Sequence, residues 1–124
     1  MSLHVVEPAA FLLLHRDSLL DDGLECGPWD ERLLTAALDY PLKEARLSIA
    51  DVAAVAAAYA IGMLRYRPFA SGNQRAAFLA LGLFLYSNAW HLEASQDEAT
   101  AAMRRVACGE MDEDDLANWV RRHL

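Results

Sequence analysis

Two stretches without a formal charge, Val52 to Leu64 and Ala76 to Trp90, lie eleven residues apart in an otherwise charged chain. A helix that is apolar on every side must be enclosed by protein. Neither stretch reaches the roughly 18–20 residues that a membrane span needs. Two such segments in succession therefore predict a buried pair of central helices with amphipathic helices packed around them. The rest of the chain supplies those outer helices. Glu7-Pro8 opens a helix through "AAFLLLHRDSLL", with proline tolerated in the first turn. "DDGLECGP" reads as a turn-rich loop, and "WDERLLTAALDY" as a second helix that must stop by Tyr40 because Pro41 follows. Ser48, with Asp51 three residues on, predicts the N-cap of the first inner helix. Ser95 and Glu98 form a capping box for "QDEATAAMRRVACG", which Gly109 ends, and Asp112 caps "EDDLANWVRRHL". No run shows the period-2 alternation of a half-buried strand. The expectation is an all-α fold of about six helices, with residues 1–124 as a single domain.

The chain's net charge of −7 argues against nucleic acid as a partner of the whole surface. Cys26 and Cys108 are far apart, with neither a CxxC nor paired histidines, so neither a zinc site nor a disulfide framework is expected. With no basic-then-apolar leader and no membrane-length segment, the expectation is a cytoplasmic protein without a membrane partner.

Positive charge nevertheless collects where the second inner helix begins: Arg65, Arg67 and Arg75 fall within "RYRPFASGNQR". The first N–H groups of a helix lack internal partners and carry the positive end of its dipole, so such an end accepts phosphate. Gly72 permits close backbone approach, Asn73 can orient the loop, and Arg75 offers a fork to an oxyanion. Pro68 and Phe69 stiffen and anchor the loop. A purely local account also exists, because Ser71-x-x-Gln74 reads as a capping box and loop arginines are commonly just solvated.

The nonapeptide "RPFASGNQR", Arg67 to Arg75, resembles the Fic/Doc family motif H-P-F-x-[D/E]-G-N-[K/G]-R. Pro68, Phe69, Gly72, Asn73 and Arg75 match at the right spacing. "GPWDERLLTAAL", Gly27 to Leu38, is similar to the family's G-x-x-D-x-x-x-L-x-x-A segment, and the short chain is similar to the Doc, or death-on-curing, branch. The resemblance implies a compact helical fold around a central helix. It also implies transfer of a phosphoryl or nucleotidyl group from ATP to a protein hydroxyl. By the same resemblance the chain would be the toxin of a toxin–antitoxin pair, with a small antitoxin as partner and a translation factor as target. Gly72, Asn73, Gln74 and Arg75 would contact phosphate.

The departures bear on chemistry. Arg67 stands where the family has its proton-abstracting histidine, and a guanidinium stays protonated and cannot be a general base. Ser71 replaces the metal-holding acid, which argues against Mg²⁺; no other metal site is expected. Gln74 replaces lysine or glycine. These changes imply weakened or absent turnover, and a rival reading is a non-catalytic module that holds a partner helix or a nucleotide. His15 could supply a base from the first helix, although a histidine on an apolar helix is more often a core or boundary residue. "SLLDDG", Ser18 to Gly23, resembles the family's self-inhibitory [S/T]-x-x-x-E-[G/N] with Asp22 for the glutamate; its shorter acid and turn-like context speak for coincidence. "PLKEARL" falls where the family has a target-docking flap or, equally, a solvated connection.

Overall fold

The computed structural model describes residues 3–43 and 51–124. Its described residues form six α-helices and no strand: α1 (Pro8–Asp21), α2 (Glu31–Asp39), α3 (Val52–Tyr66), α4 (Asn73–Ser87), α5 (Gln96–Ala107) and α6 (Glu113–Arg122), with a 3-10 turn (Tyr40–Leu42) after α2. Among these residues no helix is long and apolar enough to cross a membrane.

α3 is the enclosed element. Every residue from Val55 to Met63 is buried, and α2, α4 and α6 pack around it. Its alanines make a thin helix whose neighbours can approach from several sides. At Gly62 the approach is closest, because a Cβ there would lie 2.4 Å from the backbone oxygen of Ala37 on α2. α4 departs from the expectation of a second enclosed helix. Ala76, Ala77, Ala80, Leu81, Phe84 and Leu85 are buried, yet Phe78, Leu79 and Leu83 are only half-buried and Tyr86 is 79% exposed. The reason is coverage: α3 lies along one side, while α1 and α5 cover the other in part.

Side chains cap four of the helix starts, two of them, Ser95 and Asp112, as the sequence predicts. Asp30 accepts from the Leu33 N–H at 3.0 Å, and Ser95 with Glu98, and Asp112 with Asp115, close reciprocal boxes. Asp51 caps α3, accepting from the N–H groups of Ala53 and Ala54 at 3.0 and 3.4 Å and pairing with Arg121. Residue 48 lies outside the described residues, as do residues 44–47 of "PLKEARL". Trp119 is buried, whereas Trp29 and Trp90 are exposed, and both cysteines are free and exposed.

The Gly62 contact generates a test. Gly→Ala within a helix normally gains up to about 1 kcal/mol. Here the new methyl meets backbone that cannot rotate away, and overpacking of that kind costs about 1–3 kcal/mol. Gly62→Ala is expected to lower the urea midpoint with an unchanged m-value; a higher midpoint would show that α2 and α3 separate freely.

Candidate functional site

The loop between α3 and α4 is built by three constraints. α3 ends at Arg67, whose backbone is left-handed (φ 49°, ψ 61°) and whose N–H bonds to the Met63 oxygen at 3.0 Å. Pro68 then forbids further helix. Phe69 drops into the core, 5% exposed, against Phe11 and His15. The loop is also paired to the segment before α2: the Asp30 N–H donates to Pro68 O at 2.9 Å and the Ala70 N–H to Pro28 O at 3.0 Å. Asn73 closes it. Its buried amide accepts from the Phe69 N–H at 3.1 Å and donates to the Phe69 oxygen at 2.8 Å. Asn73 thus orients the loop as expected, but its side chain is spent there and leaves only its backbone N–H for an anion.

Gly72, at φ 80°, is the N-cap of α4, and among the described residues no side chain caps this helix. The capping box expected from Ser71 and Gln74 does not form, because the helix starts one residue later than that box requires. The N–H groups of Asn73, Gln74 and Arg75 precede the first intrahelical bond, Ala76 N–H to Gly72 O at 3.0 Å. A cavity of about 380 Å³ opens at this end, lined by Arg67, Ser71, Gly72, Asn73 and Gln74 with Leu64 and Ala107. Arg67, Ser71, Gly72 and Gln74 are exposed, so the mouth is open to a ligand.

Two arginines go elsewhere. Arg65 lies over the Tyr40 ring, 5.0 Å from its centroid. Arg75 does not line the mouth. Its Nη1 donates to the Ser18 hydroxyl at 2.9 Å and the Ser18 backbone oxygen at 3.3 Å, and its Nη2 pairs with Asp22 at 2.7 Å. In the sequence the match at Ser18 and Asp22 reads as coincidence; their spacing of four at one helix end is the signal that places both on one partner.

His15 is 2% exposed and stacks on Phe69 with ring centroids 4.2 Å apart. Its Nε2 is buried without a hydrogen-bond partner among the described residues. It is a core residue behind the loop rather than a base at the mouth. Among the described residues lining the mouth, none is a carboxylate or a group that titrates near neutrality. The donor set does not suit Mg²⁺, since the Ser71 hydroxyl lacks the anionic oxygen that this ion prefers. It does suit an oxyanion, with uncapped N–H groups, the helix dipole and the Arg67 guanidinium around one space. No protein-family model matches the chain, and no curated protein matches it either.

Burial, and then the charge of Arg75, hold the His15 imidazole below its ordinary value of 6.5. The folded state therefore keeps His15 neutral while the unfolded chain takes up a proton, so this residue costs stability as pH falls from 6.5 toward its folded value. The drop in urea midpoint between pH 7 and pH 5 should be smaller in His15→Phe, which keeps the stack and removes the orphaned nitrogen. Equal drops in the two proteins would show that His15 does not carry that acid sensitivity.

Proposed function

We propose that this chain is a Fic/Doc-like domain that binds the phosphates of a nucleotide such as ATP at the start of α4 and has little or no transferase activity. The observation that carries this reading is the uncapped α4 terminus: Gly72 in a left-handed turn, Asn73 and Gln74 with N–H groups that precede the first intrahelical bond, and Arg67 line one open cavity. The Arg67-to-Arg75 resemblance and the helix–loop–helix placement of that segment support the family part. The lining of the mouth favours the non-catalytic form. Arg67 cannot abstract a proton from a target hydroxyl, and neither Ser71 nor another described residue at the mouth supplies a carboxylate for a metal. A toxin lineage, with a small antitoxin as partner and a translation factor as target, is the setting the family resemblance implies. Binding to the anion seat is the property that such a lineage and a pseudo-enzyme would share.

The Ser18–Asp22 clamp on Arg75 supports a self-inhibitory role for that segment. The Arg75 and Asp22 side chains are 30% and 49% exposed, and partly exposed ion pairs contribute about 0–1 kcal/mol. A charged hydrogen bond to phosphate contributes about 1.5–3 kcal/mol. Arg75 follows Gln74 of the mouth directly in sequence, so a phosphate that draws its side chain away from Asp22 would gain that contact, and the clamp would lower affinity without abolishing it.

Calorimetry with ATP is the test. Affinity should be the same within about twofold with and without Mg²⁺. Arg67→Gln should weaken binding roughly tenfold, the equivalent of 1.4 kcal/mol, and Asp22→Ala should strengthen it several-fold. Absence of heat in both the wild type and Asp22→Ala would sink the anion seat. Mg²⁺-dependent labelling of a protein hydroxyl by radioactive ATP would overturn the non-catalytic reading.

A further inference from the structure

A cavity of about 450 Å³ lies between α1 and the segment that precedes α2, where Leu12, Leu13, His15 and Arg16 meet Cys26 and Trp29. Its size is that of a small-ligand site, and none of its lining residues borders the mouth of α4. The wall is mostly apolar. Leu12 is half-buried against the core, while Leu13 and Trp29 are large apolar side chains left exposed. Trp29 is nonetheless held in place, because the residues on either side of it pair with the α3–α4 loop through Pro28 O and the Asp30 N–H. A fixed indole beside leucines suits a flat aromatic ring, in offset or edge-on contact.

His15 is the polar feature of this wall. It is buried, yet its imidazole makes no hydrogen bond among the described residues. Phe69 stacks on the ring and Phe11 lies with its centroid 5.8 Å away, and neither brings a polar atom. A neutral imidazole has one N–H to give and one lone pair to fill. Leaving such buried groups unpaired costs more than an ordinary hydrogen bond gains, and folded proteins seldom do it. The other polar side chains bordering the cavity are turned to partners of their own. Arg16 is 3.6 Å from Asp17, and the Cys26 thiol donates to the Gly27 oxygen at 3.4 Å. A molecule entering the cavity would therefore bring the polar atom that His15 lacks. A hydroxyl both donates and accepts, so it serves the imidazole whichever nitrogen carries the proton. Arg16 at the cavity and Arg75, whose charge acts on the imidazole, disfavour an ammonium ligand.

We infer that the cavity between α1 and the segment before α2 binds a small uncharged aromatic molecule bearing a hydroxyl, its ring against Trp29 and its hydroxyl on His15. The inference is independent of the phosphate reading of the α4 mouth.

Phenol and toluene, which differ by the hydroxyl, are the probes, titrated into the full chain and followed by NMR. Phenol should move the Trp29 indole N–H and the His15 ring protons, and should bind at least about fivefold more tightly than toluene. His15→Phe keeps the stack on Phe69 and should reduce phenol to the affinity of toluene while leaving toluene unchanged. Trp29→Ala should weaken both probes, and circular dichroism checks that each variant is helical. Phenol should also slow alkylation of Cys26 by iodoacetamide, read by mass spectrometry, with Cys108, exposed at the end of α5, as the internal control. Equal binding of phenol and toluene to the wild type overturns the inference, and that comparison needs no variant to fold. Phenol that leaves the Trp29 indole and the Cys26 alkylation rate unchanged overturns it as well.

Discussion

The arrangement depends on a buried amide. Asn73 returns two hydrogen bonds to one residue, Phe69, and so ties the first turn of α4 to the loop that precedes it. Each bond is worth only about 1 kcal/mol net, but a missing amide would strand a buried N–H and a buried carbonyl, each at about 1–3 kcal/mol. That asymmetry leaves the loop one economical path. Phe69 is directed inward against Phe11 and His15, and Gly72 must turn left-handed to bring the chain back onto the helix axis. With Gly72 at the cap position and the Asn73 side chain occupied, α4 starts with its first N–H groups facing outward.

The division of positive charge at this junction follows from the same geometry. Arg67, carried by a left-handed residue at the end of α3, is exposed beside the uncapped terminus. Arg75 is three positions past Gly72, on a side of α4 that looks toward α1, and it meets carboxylate and hydroxyl there. Nearby residues of like charge thus differ: Arg67 is exposed and has no ion-pair partner among the described residues, and Arg75 stitches two helices together. Arg65 is spent a third way, over the ring of Tyr40.

Much of the fold was legible in the residues. An uncharged run of alanines, valine and isoleucine has no polar face to offer water, and α3 is enclosed accordingly. Ser95, Glu98 and Asp112 announce helix starts through groups that act within one turn, so no tertiary knowledge is needed to place them. α4 was harder, because absence of charge does not say whether enough neighbouring helix exists to cover both sides, and Tyr86 ends in solvent. Ser71 illustrates a local rule overridden by a distant one: its capping box would begin the helix a residue early, where Asn73 could no longer reach Phe69. The destination of Arg75 was hidden for the corresponding reason, since its partners lie more than fifty residues upstream and only the packing of α1 on α4 brings them near.

α1 has a modest anchorage, with Phe11, His15 and Leu19 as its buried side chains, yet two of its turns touch opposite ends of the α3–α4 junction. The His15 ring wedges behind Phe69, and one turn later Ser18 and Asp22 grip Arg75. A rigid rod that bears on a hinge at one point and on a catch a turn further along works as a rocker: tilting it eases one contact as it loads the other. Any influence that nudges this peripheral helix would be felt at the start of α4 without a change in a single residue of the loop.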